Sequence, residues 1–237
     1  MKARVWLDLA RAGNLPSVAG NVLAALVLSA PDHALPATGS LALVILAGGL
    51  IYAGGATFND VADASFDARH RPERAIPRGL VTRSAAAWAA GIQMLLGLGL
   101  LVAAGASVAW AGALAAVILA YDWTHKRWTG SVALMAGCRV LLGFTVASLP
   151  GHGNTPALLG WLGALFTYIA GLSLLARREY LPGAPAARIG HSVGRLLAFI
   201  PLVDAVALGI VGAWLAALAC ALMIPLARWA QRRVAAN

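Results

Sequence analysis

From residue 14 to residue 227 the sequence is a succession of apolar stretches, broken at intervals by a few polar residues, each close to the length of a membrane crossing. A helix needs about 20 apolar residues, or somewhat fewer at the short end of the range, to span the hydrocarbon. A soluble core has no use for runs of this length in a chain of 237 residues. Composition agrees, since 60% of the residues are hydrophobic, only 11% are charged and the mean hydropathy is +0.78. The sequence therefore predicts an all-α, polytopic membrane helical bundle. No soluble domain, linker or low-complexity stretch interrupts it, so residues 1–237 read as a single integral-membrane domain.

About eight crossings fit. They cover residues 14–30, 39–58, 84–104, 106–120, 131–149, 156–176, 196–211 and 213–227. The last two are short and are separated only around Gly212, so one long helix there, and seven in all, is the other reading. Taken as eight, they form two four-helix groups, and in each group the second helix ends in a charged loop. This is a coarse repeat of topology rather than of residues. Small residues are abundant in the segments, which suits close helix packing in lipid.

The formal net charge of +9 does not point to nucleic acid, because the basic residues are spread over several short loops and form no single patch. Of the 18 Lys and Arg, only Arg139 lies well inside an apolar segment. The others fall before the first segment, in alternate connections, or at and beyond the end of the last. That is the positive-inside pattern, and it places both termini and every basic loop in the cytoplasm, with membrane lipid around the chain and a bacterial inner (cell) membrane as the expected location. Near the start, Asp8 and Arg11 interrupt the sequence before a signal-peptide core can form, so the first segment is expected to be a retained helix. Cys138 and Cys220 lie in apolar segments without metal-ligand spacing and read as packing residues. The tryptophans, mostly near segment ends, read as an interfacial belt.

The densest chemistry follows the second segment. Asn59, Asp60, Asp63 and Asp67 come at its end, and Arg69, Arg71, Arg74 and Arg78 follow at once. If the helix continues, Asn59, Asp63 and Asp67 share a face, with successive Cβ atoms about 5–6 Å apart. Hard oxygen ligands at that spacing suit Mg²⁺, which takes one or two carboxylates and fills its other positions with water and substrate phosphate. The plainer reading is a solvated acidic helix end paired with the arginines. Three of the chain's nine acids within eight residues, beside a membrane, favour function.

At this point the sequence resembles a known family. N-D-x-x-D-x-x-x-D followed by R-P-E-R-A-I-P-R-G is similar to the first aspartate-rich motif and trailing loop of the UbiA superfamily of intramembrane prenyltransferases, with Ala75 in place of a usual proline. Arg11 and Asn14 fit the Arg-x-x-Asn pattern that opens the family's first helix, and Tyr121 fits the tyrosine after its fourth. The usual Tyr-x-x-x-Lys spacing is not kept, since His125 stands fourth after Tyr121 and Lys126 fifth. The resemblance implies that an isoprenyl diphosphate is bound through Mg²⁺, ionised, and its allylic cation passed to an acceptor, here unidentified. It implies Asn59, Asp60, Asp63 and Asp67 as metal-holding residues, Asp63, Tyr121 and Lys126 as catalytic, and Arg11, Asn14, Arg71, Arg74, Arg139 and Glu179 as substrate-binding.

Each of the cations also has an ordinary reading as an interfacial anchor. Arg139 either reaches the diphosphate across a polar cavity or pairs with Asp204 inside the seventh segment. The family's second aspartate-rich motif, after helix six, is replaced here by Ala176-Arg177-Arg178-Glu179-Tyr180, in which only Glu179 stands in for the missing acids. That departure supports the alternative of a non-catalytic isoprenoid-binding or lipid-handling membrane protein of the same fold.

Overall fold

The computed structural model describes residues 2–178 and 186–234, and every regular element among them is helical. A short α1 (Lys2–Leu9) passes through a single 3-10 turn (Ala12–Asn14) into α2 (Leu15–Ser29). Then come α3 (Thr38–His70), α4 (Arg83–Ala103), α5 (Val108–Thr124), α6 (Ser131–Ala147), α7 (Pro156–Arg177), α8 (Ala186–Ala198), α9 (Ile200–Ile210) and α10 (Trp214–Gln231).

Six stretches are long and apolar enough to cross a membrane: Ala12–Ser29, α3, α4, α7, Arg188–Ile210 and α10. Helices α5 and α6, of 17 residues each, are apolar but shorter. These are the eight expected segments, with the seventh starting earlier than its apolar run because α8 leads into α9. The join falls at Phe199, where Pro201 in the first turn of α9 has no N–H to continue the ladder. Helices α9 and α10 are separate, joined through Gly212 at φ +78, a left-handed conformation that glycine adopts without strain.

The bundle is organised around α2. Val22, Ala24, Ala25, Val27 and Leu28 have no exposed surface, and α2 packs against α3, α6, α7, α9 and α10. The two groups of four are thus a matter of chain order, since both contribute to one core. Trp88, Leu95, Ile210, Trp214 and Leu215 face outward and are largely exposed. In a hydrocarbon surrounding that costs nothing, because lipid tails are as apolar as these side chains.

Helix α3 positions the site. Its 33 residues extend about 50 Å at 1.5 Å per residue, against a hydrocarbon thickness of about 30 Å. The surplus carries Asn59 to His70 past the apolar stretch as unbroken helix, as the spacing of the acids anticipated. It stops at Arg71, which precedes Pro72 and so is biased out of helical conformation. Along its length α3 lies close against α4. A Cβ on Gly97 would stand 2.6 Å from the Ala47 carbonyl oxygen and 2.9 Å from the Ile51 nitrogen, and a Cβ on Gly54 2.8 Å from the Ala90 carbonyl oxygen.

Since the Ala47 oxygen and Ile51 nitrogen facing Gly97 are backbone atoms, they have no rotamer by which to retreat. Gly97→Ala is expected to destabilise the bundle by about 1–3 kcal/mol, read as earlier thermal unfolding in detergent. Gly99→Ala, which meets nothing within 4 Å, should leave the transition nearly unchanged.

Candidate active site

The four residues of the α3 motif are all buried: Asp63 is 6% exposed and Asp67 2%, with Asn59 and Asp60 similar. Buried carboxylates at a membrane edge need partners, and each has one. Asp60 Oδ1 accepts from Arg74 Nη1 at 2.6 Å and from Arg11 Nη2 at 3.2 Å. Asp67 lies 3.7 Å from Arg74 Nε. Asp63 Oδ2 is 3.2 Å from both His125 Nε2 and Lys126 Nζ. The displaced spacing in the 121–127 stretch is thereby explained. His125 is the C-cap of α5, and the turn beginning there lets it and Lys126 approach the same carboxylate. Lys126 also lies over the Phe66 ring, 4.0 Å from its centroid.

Arg11 reaches the cluster from the opposite side, donating to Asn59 Oδ1 at 2.9 Å. Its backbone is left-handed, φ 46 and ψ 46, uncommon for a residue with a side chain. This sharp corner between α1 and the 3-10 turn directs the guanidinium back onto α3. Burial opposes its charge, but the Asp60 carboxylate together with Tyr52 and Tyr121 outweighs that effect and holds the pKa above its ordinary value.

Behind Arg11 and Asn59 an apolar cavity runs into the bundle. Val18, Ile51, Leu114, Ile118, Met135 and Leu142 line its body, and Arg11, Asn59, Tyr121 and Asp122 its polar end. Tyr121 stacks on His125 with ring centroids 5.0 Å apart. On the other side of Arg11 a wider hollow of about 1350 Å³ is walled by Arg4, Arg71, Arg78, Arg232 and Arg233, with Arg74 and Asp60 at its inner edge. Arg71 thus belongs to this outer hollow rather than to the cavity.

Arg139 lies on the cavity wall, over the ring of Tyr52 at 5.1 Å. It donates to Asn21 Oδ1 at 2.5 Å and to Ser17 Oγ at 3.2 Å. Asn21 in turn donates to both oxygens of Asp204 at 2.9 Å, and Trp161 Nε1 donates to Asp204 Oδ1 at 2.9 Å. Arg139 thus lines the cavity, and its link to Asp204, which has no exposed surface, runs through Asn21 rather than by a direct pair. A Cβ on Gly20 would stand 2.8 Å from Asp204 Oδ2, so the glycine makes room for the carboxylate. Asn14 takes a neighbouring place, donating to Tyr52 Oη at 3.0 Å and accepting from Gln231 at 3.0 Å.

Glu179 lies outside the described residues. Its neighbour Arg177, expected only as a basic anchor, donates to the carbonyl oxygens of His125 at 3.0 Å and Trp128 at 3.4 Å. It thereby ties the end of α7 to the loop that carries His125 and Lys126. Two residues in the cavity wall escaped the sequence reading, Tyr52 and Asp122. For Asp122 the signal was present, as it is another of the nine acids at the membrane end of a segment, but its position among cations hid it.

Among the described residues no three carboxylate, imidazole or thiol side chains converge to cage a metal ion. Mg²⁺ does not require such a cage. One or two carboxylates suffice when water and phosphate oxygens complete its shell. The hard oxygens of Asn59, Asp60, Asp63 and Asp67, gathered on one helix end beside a cavity, fit that ion by donor chemistry.

An all-helical membrane bundle with an apolar cavity, polar at the end where Arg11, Asn59, Tyr121 and Asp122 gather, belongs to the class of intramembrane proteins with an enclosed pocket beside a cluster of acids and cations. The sequence matches the UbiA prenyltransferase family over residues 18–236, and the chain belongs to that family. It is 35% identical over 102 residues to a digeranylgeranylglyceryl phosphate synthase of Pyrococcus abyssi (strain GE5 / Orsay), a match spanning 42% of this chain and 35% of that relative. The fold is similar, with a TM-score of 0.64, to a solved chain from a structural study of digeranylgeranylglyceryl phosphate synthase in membranes, covering 98% of this chain and 88% of the other at 17% identity.

Asp204→Ala would leave the Asn21 and Trp161 donors unmatched inside the bundle. The expected cost is about 1–2 kcal/mol, seen as a lowered unfolding temperature, with Asp204→Asn losing less because it keeps an acceptor for Trp161.

Proposed function

We propose that the chain transfers an isoprenyl group from its diphosphate to an acceptor at the cytoplasmic end of the cavity. The observation that carries this reading is the juxtaposition of an apolar cavity with the α3 acids and their cations, joined at Arg11 and Asn59. In the proposed complex the isoprenyl chain occupies the cavity body between Val18, Ile51, Leu114 and Ile118, and the diphosphate lies at the polar end. Asn59, Asp60, Asp63 and Asp67 would hold Mg²⁺, which when bound supplies positive charge to the departing diphosphate. Arg11, Lys126 and Tyr121 stabilise the negative charge that grows on the leaving oxygen as the carbon–oxygen bond breaks. Arg74 holds Asp60 and Asp67 in place through its guanidinium. The apolar wall keeps water from the allylic cation, so that the acceptor captures it. Both termini and the 71–82 and 125–130 connections are assigned to the cytoplasmic face of a bacterial inner membrane, with the whole chain working as one domain.

A specific observation also favours the non-catalytic reading. Each motif carboxylate is already matched by a cation of the chain itself, as in a site that holds an isoprenoid without ionising it. The two readings separate in one experiment: purified protein in nanodiscs, several prenyl diphosphates, Mg²⁺, and a lipid extract as acceptor source. The relative's name puts geranylgeranyl donors and glyceryl phosphate acceptors first in that panel. The transferase reading predicts acceptor-dependent release of diphosphate, reduced at least about a hundredfold by Asp63→Ala. Full activity in that variant, or binding with no turnover across the panel, would sink it.

A further inference from the structure

The polar end of the cavity contains one acid that the scheme above does not use. Asp122 sits in the last turn of α5, 5% exposed. Its Oδ1 accepts from Asn59 Nδ2 at 3.0 Å. Asp122 lines the cavity, and its Oδ2 is fully buried with no hydrogen-bond partner among the described residues. A buried carboxylate oxygen without a donor is costly enough that native proteins rarely keep one without a ligand or a functional reason. The surrounding acids are differently placed: Asp60 faces Arg11 and Arg74, Asp63 faces His125 and Lys126, and the Asn59 amide oxygen is occupied by Arg11. The fully buried carboxylate oxygen left without a donor at this end of the cavity therefore belongs to α5.

We propose that Asp122 Oδ2 is a ligand of the divalent cation, so that the metal site bridges α3 and α5 instead of resting on α3 alone. Asp122 is a hard oxygen donor, and a single carboxylate from a second helix is the kind of ligand that Mg²⁺ combines with water and phosphate. The hydrogen bond from Asn59 fixes Oδ1 and so restrains the carboxylate that carries the free oxygen. This inference rests on the transferase reading for the identity of the cation, but its test requires no turnover.

The probe is Mn²⁺, which shares the oxygen preference of Mg²⁺ and is read by electron paramagnetic resonance on the purified full chain, with and without inorganic diphosphate. Asp122→Asn keeps an acceptor for Asn59 and removes only the charge and the second anionic oxygen. A ligand role predicts that Asp122→Asn weakens Mn²⁺ binding about tenfold or more, and that Asp122→Glu restores part of it. A protonated, purely structural Asp122 would be mimicked by asparagine, so unchanged Mn²⁺ affinity in Asp122→Asn overturns the proposal while leaving the transferase reading intact. Loss of Mn²⁺ binding in a protein that makes no prenyl product would do the reverse. Should Asp122→Asn fail to fold, Fe²⁺-directed cleavage of the wild-type chain decides. Cuts near residue 122 as well as near 59–67 support the proposal, and cuts near 59–67 alone refute it. Wild-type protein that binds no Mn²⁺ in either condition removes both this ligand and the assigned role of Mg²⁺.

Discussion

A carboxylate at the rim of a hydrocarbon layer survives only if something nearby answers its charge, and this requirement governs the end of the molecule that carries the α3 motif. The α3 acids draw in Arg11 from the N-terminal corner, Arg74 from the following loop, and His125 with Lys126 from the end of α5. Three distant parts of the chain are thus fastened to one helix end. Arg177 secures the arrangement from outside by holding the carbonyls of the 125–131 turn. Ion pairs of this kind gain little net stability once desolvation is counted. Their consequence is positional: they hold these cations and anions together at the end of α3, beside the polar end of the cavity.

A second polar layer lies deeper, where Asp204, Asn21, Trp161, Ser17 and Arg139 join α9, α2, α7 and α6. The side-chain bonds that link these five residues to one another all run between helices. In lipid, where apolar side chains gain little by leaving one apolar surrounding for another, such bonds and close glycine contacts specify which helices meet. Asp204 therefore does for the middle of the bundle what Asp60 and Asp63 do for its end.

Much of the fold was legible in the sequence because membrane crossings announce themselves by length and composition, and the basic loops alternate. The continuation of α3 through the motif followed from the four-residue spacing of Asn59, Asp63 and Asp67. What the sequence did not disclose lies between elements. Periodicity tells which residues share a face of their own helix, but not which face of another helix they meet. Asp122 was hidden for that reason: its meaning depends on Asn59, 63 residues earlier and on a different helix. The left-handed corner at Arg11 was equally invisible, since nothing in the residue type requires it. Arg139 was recognised as needing a partner, yet Asn21 as the intermediary emerged only from the packing of α2 against α6 and α9.

The length of α3 also bears on how such a site can vary. Because the acids ride on a single rigid helix anchored by glycine contacts with α4, their depth and direction are counted from those contacts, residue by residue. One residue added between Gly54 and Asn59 would turn the acids by about 100° and lift them about 1.5 Å, presenting them to lipid or to α4. The stretch linking the packing glycines to the carboxylates is thus a ruler. Substitutions along it are tolerable in many places, whereas a change in its length is not.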